Sequence, residues 1–140
     1  MTVRVERSFV VDASPGAVWE FIADPAGRAR AISVVDRFER RGETTVWFIE
    51  LPIPLLRTTI RVRTKDVTRE EPTYVAFEGE STAFTVRGEH EISSVENGTR
   101  VSNTFVVDGR APGVERFFER NFDEEIRNLE RALQDHLADR

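Results

Sequence analysis

This sequence predicts an α+β domain built on an antiparallel sheet. Three observations carry that prediction. Apolar residues alternate through most of the middle of the chain, helical periodicity is confined to its two ends, and the last segment repeats its apolar residues about every four positions. The order read from these signals is a strand, one or two short helices, about six antiparallel strands and a long helix.

"TVRVERSFVV" sets Val3, Val5, Phe9 and Val11 at alternate positions, the pattern of a half-buried strand. Asp12 and Ser14 follow with N-cap chemistry, and Pro15 suits a first helical turn. "SPGAVWEFIAD" then places Val18, Trp19, Phe21 and Ile22 on one helical stripe, closed by Asp24-Pro25. "AGRARAI" is a second short helix with Gly27 inside it.

The strands follow. "VVDRFERR" turns at Gly42 into "TTVWFIEL", and "TTIRVRTKDVT" breaks at Glu70-Glu71-Pro72 before "TYVAFEGE". "AFTVRGEHEISSV" runs to Asn97-Gly98, a two-residue hairpin signal, and "TRVSNTFVV" returns. After Asp108-Gly109 and Pro112-Gly113, Val114, Phe118, Phe122, Ile126, Leu129, Leu133 and Leu137 mark one amphipathic helix, roughly 35–40 Å long at 1.5 Å per residue. A sheet of this size must curve. A long helix across its concave face leaves volume that side chains either fill or leave open.

Bulk properties exclude several classes. The chain of 140 residues is most economically a single domain spanning 1–140. A net charge of -5 argues against general affinity for nucleic acid or anionic membranes. With no cysteine there is neither a disulfide nor a thiolate metal site, and no run approaches the roughly 20 apolar residues of a membrane span. No signal peptide is evident, so the expected location is cytoplasmic. Asn97-Gly98-Thr99 reads as a turn rather than as a glycosylation site. Lys65 is the only lysine among 20 basic residues, and arginine supplies the rest. That bias fits a high-GC genome or a salt-rich cytoplasm.

Three passages now matter together: "VVDASPGAVWEFIADP", "FTVRGEHEISSVENGTRVSNTF" and "FFERNFDEEIRNLERAL". In this order they resemble the START-like (SRPBCC) superfamily. They are most similar to its polyketide cyclase/dehydrase and lipid-transport group, which has coenzyme Q-binding and carbon monoxide dehydrogenase-related branches. The resemblance covers essentially the whole chain. It implies a helix-grip fold, in which a curved seven-stranded antiparallel sheet grips the long C-terminal helix around an apolar cavity, with two short helices after the first strand. It does not settle a reaction, because such folds serve carriers and enzymes alike.

The residues offer little conventional catalytic machinery. His90 and His136 are the only histidines, and "EHEIS" lacks the second histidine of a zinc-binding HExxH helix, so no metal or cofactor is expected. No nucleophile elbow or glycine-rich phosphate loop occurs. Alternation puts Phe84, Val86, Gly88, His90 and Ile92 on one face, with Gly88 read as a bulge position. His90 then faces the concave side as a paired core histidine, a ligand contact or a proton-transfer group. Asn103, on the same face as Val101, Phe105 and Val107, is its natural partner.

Glu50 and Glu78 interrupt apolar strands and are expected to point outward, and the Glu/Arg pattern of the last helix reads as a solvated face. Trp19 is expected to be scaffold. Of Trp47 and Phe48 only one can face inward. Phe117, Phe118 and Phe122 face the sheet, either as plain core or as cavity wall. In "ELPIPLLRTT", Pro52 and Pro54 oppose regular pairing while Leu51, Ile53, Leu55 and Leu56 offer apolar surface. That surface is a lip at a cavity mouth, core packed on the first helices, or a subunit contact.

The leading expectation is therefore binding or transport of a small hydrophobic ligand such as a lipid, isoprenoid quinone or polyketide-like molecule. Phe84, Val86, His90, Ile92, Asn103, Phe105, Phe118 and Phe122 are the candidate contacts. One alternative is a cyclase or dehydratase that moves protons through His90. Another is an accessory protein that docks a partner or a membrane surface through residues 51–56.

Overall fold

The first strand pairs with the last, at one edge of an open sheet. In this computed structural model, residues 2–52 and 59–139 are described. The chain runs β1 (Thr2–Val11), α1 (Pro15–Ile22), α2 (Pro25–Ala31), β2 (Val35–Arg41), β3 (Thr44–Ile49), β4 (Ile60–Glu70), β5 (Tyr74–Glu80), β6 (Phe84–Val95), β7 (Gly98–Gly109) and α3 (Val114–Ala138). All neighbouring strands are antiparallel, and the sheet order is β1-β7-β6-β5-β4-β3-β2. This is the helix-grip arrangement, with a curved sheet around a long terminal helix.

Local chemistry explains the corner that follows β1. The Ser14 hydroxyl accepts from the Ala17 N–H at 3.3 Å, and Pro15 opens α1. The Asp24 carboxylate accepts from the Ala26 N–H at 3.1 Å, so α2 is capped immediately after Ala23, the C-cap of α1, with Pro25 at its start. At the β6–β7 hairpin Gly98 takes φ 146°, a backbone conformation that suits glycine.

The interior divides into two clusters. One gathers β1, α1 and the C-terminal half of α3 around Phe9, Val18, Ile22, Val101, Leu129 and Leu133. The other gathers β3 to β7 and the start of α3 around Trp47, Val62, Phe77, Phe84, Val107 and Val114. Phe105 packs against both.

Several expectations are refined. Gly88 is not a bulge, since the register on both sides of β6 is continuous through Phe77, Gly88 and Phe105. It leaves room for Phe77, whose ring carbon Cζ would stand 2.5 Å from an added Cβ. Register shifts lie instead in β4, between Asp66 and Thr68, and in β2, between Val35 and Arg37. Trp47 faces inward, yet Phe48 on the opposite face is also buried, beneath the guanidinium groups of Arg37 at 3.7 Å and Arg61 at 5.8 Å. Glu50 and Glu78 are exposed, and Trp19 is buried in the first cluster. Leu51 is buried in the second cluster, whereas Ile53, Leu55 and Leu56 lie outside the described residues.

Candidate functional site

Where the two clusters meet beneath α3, packing is incomplete. A hollow of about 70 Å³, counted as the space open to the centre of a water molecule, lies between the sheet and the helix. The sheet supplies Trp47, Phe77, Phe84, Val86, His90 and Phe105. Helix α3 supplies Phe117, Phe118, Phe122 and Leu129, and Ile32 and Val34 approach from the segment after α2. Phe105, Phe117 and Phe118 remain partly accessible although they sit on inward faces, because they border this space. Edge-on contacts tie the wall together, with ring centroids 5.4 Å apart for Phe105 and Phe122.

Strand periodicity sets most of this wall. In β6 the inward parity carries Phe84, Val86, Gly88, His90 and Ile92, all buried. His90 is 1 % exposed and stands directly across from Asn103 of β7. The Asn103 amide nitrogen donates to the Arg7 carbonyl at 3.2 Å and the Val101 carbonyl at 3.4 Å, which turns its carbonyl oxygen toward the histidine. Nδ1 of His90 lies 2.7 Å from that oxygen and is therefore the protonated nitrogen. Nε2 keeps its lone pair and has no hydrogen-bond partner among the described residues.

The environment holds this ring neutral. Desolvation first, and then the charge of Arg28, bring the His90 pKa from 6.5 down to about 4, against the opposing pull of the Asn103 hydrogen bond and Asp66. Phe77 stacks on one side at 6.2 Å between centroids, and Phe105 stands edge-on at 5.7 Å. A buried acceptor with no donor costs roughly 1–3 kcal/mol.

Arg28 is a hidden member of the site. It comes from α2, is buried, lines the hollow, and sits 5.1 Å over the Phe77 ring. It donates to the Ile22 carbonyl at 3.0 Å and pairs with Asp66 of β4. Asp66 also takes Arg69 at 2.7 Å, and Arg69 donates to the Ala23 carbonyl at the same distance. Burial lowers the Arg28 pKa while Asp66 opposes that shift, so the guanidinium stays charged. Its Nε, like the Trp47 indole Nε1, is buried without a partner among the described residues. Three orphaned polar atoms, two donors and one acceptor, thus belong to residues that line one apolar hollow.

Of the residues expected at the site, Phe84, Val86, His90, Phe105, Phe118 and Phe122 line the hollow. Ile92 and Asn103 are buried behind it, Asn103 as the group that orients His90. Leu51 packs in the core. Sequence reading missed Arg28 and Asp66. Asp66 had a signal, since it shares the inward parity of Ile60, Val62 and Thr64 in β4. Arg28 had none, because an arginine on a seven-residue helix is ordinarily exposed. On α3, Asn121 and Glu125 form a partly exposed polar edge to the hollow. Glu125 accepts from the Ser33 backbone N–H at 2.9 Å and from its hydroxyl, joining α3 to the segment between α2 and β2.

Among the described residues no group of three or more His, Cys, Asp or Glu side chains gathers to hold a metal ion. No helix among them is long and apolar enough to cross a membrane.

Comparison with known proteins agrees with this geometry. Residues 2–134 match the family described as polyketide cyclase / dehydrase and lipid transport. No curated protein matches the chain. Among solved structures, a conserved protein from Geobacillus kaustophilus is similar at 14 % identity with a TM-score of 0.76, over 98 % of this chain and 96 % of that one. A START superfamily protein from Mycobacterium smegmatis is similar at 12 % identity with a TM-score of 0.73, over 97 % of both chains. The Zhui aromatase/cyclase from Streptomyces sp. R1128 is similar at 18 % identity with a TM-score of 0.64, over 97 % of this chain and 94 % of that one. At these identities the structural likeness speaks to the fold.

Proposed function

The chain belongs to the polyketide cyclase / dehydrase and lipid transport family, and from that membership and the hollow beneath α3 we propose that it binds or carries a small hydrophobic ligand there. The observation that carries this reading is an aromatic-lined, unfilled space where the two halves of the core meet. Apolar area moved from water into such a space contributes about 25 cal/mol per Å². A few polar atoms then fix orientation, which is the usual composition of a ligand site.

Cyclisation or dehydration through His90 is the enzymatic alternative. It is favoured by an Nε2 without a partner among the described residues and disfavoured by basicity, because an imidazole whose conjugate acid has a pKa of about 4 is a weak proton acceptor at neutral pH. Docking through residues 51–56 finds no support in Leu51, which is core.

Native mass spectrometry of protein isolated from its own host tests the binding reading. A discrete mass released on denaturation is the expected result. The variant Ala31→Phe, which projects a ring from α2 into the hollow, should carry none of it. Protein that is empty from its host, and whose melting is unmoved by fatty acids and quinones, would reject the reading.

A further inference from the structure

We propose that the hollow selects a neutral ligand carrying a hydrogen-bond donor, a hydroxyl in the simplest case, which donates to Nε2 of His90. This inference rests on the hydrophobic-ligand reading and adds the chemistry of the guest.

The polar atoms of the site do not all discriminate. The Trp47 indole N–H and the Arg28 Nε–H are donors, and either would be satisfied by an ether, a carbonyl or a hydroxyl oxygen alike. His90 is different. Its Nδ1 proton is committed to Asn103, and Asn103 is itself fixed by two backbone carbonyls, so the ring cannot exchange its tautomer without breaking that chain. The edge of the ring turned away from Asn103 carries Nε2, an acceptor with no partner among the described residues, and only a donor satisfies it. His90 lines the hollow, but its Nε2 is closed off from water by the surrounding side chains, so a guest's O–H reaches it by moving a neighbouring ring aside.

A cationic donor is disfavoured in so enclosed a site. At the wall Arg28 is answered by Asp66, the second arginine on Asp66, Arg69, is exposed to solvent, and both Glu125 carboxylate oxygens accept from Ser33 at the partly exposed edge. An added ammonium would sit among apolar rings, and an added carboxylate would find only the already paired Arg28, so a neutral guest avoids the cost of burying a charge in this enclosed apolar space. The guest is then a largely hydrocarbon molecule with a neutral O–H. A site that leaves a buried acceptor unpaired when the O–H is missing discriminates against analogues without it.

Three matched probes at pH 7 test this: 1-naphthol, 1-methoxynaphthalene and naphthalene, with affinities from titration calorimetry. The expected result is that 1-naphthol binds on the order of tenfold more tightly than either of the others. In His90→Phe the preference of 1-naphthol over naphthalene should vanish, whatever the two affinities themselves become. A second measurement needs no variant. With only two histidines in the chain, ¹⁵N-histidine labelling resolves His90, whose unprotonated Nε2 resonance should move upfield with 1-naphthol and stay in place with naphthalene. Equal affinities for all three probes, with the Nε2 resonance unmoved, would overturn the hydroxyl selection and leave the hydrophobic site standing. No binding of any probe would overturn both.

Discussion

Acidification should reveal what it costs to keep His90 neutral. In the folded protein its pKa lies at about 4, against 6.5 for an unperturbed imidazole, chiefly because burial removes water from the ring. Between those values the unfolded chain binds a proton at this position and the folded chain does not. Protonation therefore favours unfolding, and the His90 contribution is fully present above pH 6.5 and is lost as pH falls toward 4. The slope is about 1.4 kcal/mol per pH unit, and the whole window amounts to roughly 3 kcal/mol. Against a net stability of about 5–15 kcal/mol that is a large share.

The assay is urea unfolding of wild type and His90→Gln at pH 7, 6, 5 and 4.5. Carboxylates contribute to acid sensitivity in both proteins, so the difference between the two curves isolates His90. Wild type is expected to lose stability more steeply than the variant below pH 6.5. Direct titration of the labelled imidazole complements this, and His90 should remain neutral at pH 5. Parallel stability curves, or an imidazole that titrates near 6.5 in the folded protein, would refute the placement of His90 in a desolvated site.

Three further predictions follow from the packing. Gly88→Ala drives a methyl into the Phe77 ring and should cost about 1–3 kcal/mol, read as a lowered urea midpoint with an unchanged slope. Asp66→Ala leaves Arg28 charged and buried without its partner, and should cost roughly 3–5 kcal/mol in guanidinium unfolding. The double variant Arg28→Met/Asp66→Leu should recover most of that loss. Glu125→Ala removes the acceptor of the Ser33 backbone N–H, so amide exchange at Ser33 should accelerate while exchange in β6 and β7 is unchanged.

How much of this was legible in the sequence depends on the range of the interaction concerned. Strand parity is local, so the inward set from Phe84 to Ile92 and the pairing of His90 with Asn103 could be read from alternation and the Asn97-Gly98 hairpin. The α3 stripe was equally legible, because its apolar spacing repeats over many turns. Arg28 was not. Its burial depends on β4 bringing Asp66 under α2, a contact across 38 positions of sequence that no periodicity encodes. Gly88 was misread for a related reason. A glycine in a strand signals either a bulge or a close approach, and only the position of Phe77 on the neighbouring strand separates the two. Phe48 shows the limit of binary patterning, since two arginines bury a ring on the face that alternation assigns to solvent.

The size of the hollow bears on what a ligand has to do to enter. Sites for drug-sized molecules enclose about 300–1,000 Å³, and this one offers about 70 Å³. Any guest of more than a few heavy atoms must therefore displace part of the wall, and the wall is not uniformly resistant. On the sheet side His90 is fixed through Asn103, and Phe77 is seated over Gly88 and under Arg28. Arg28 is itself anchored by Asp66 and the Ile22 carbonyl. On the helix side, Leu129 and Leu133 secure the later turns of α3 in the first cluster, whereas the helix starts at Gly113 with no side-chain cap. Phe117 and Phe118 ride on those early turns and are only partly buried. Val114 holds the first turn in the second cluster, so expansion should come from the Phe117 and Phe118 rings rather than from the helix itself, while the polar atoms stay where they are anchored. The size a guest can reach is then set by the wall that yields, and its polarity by the wall that does not.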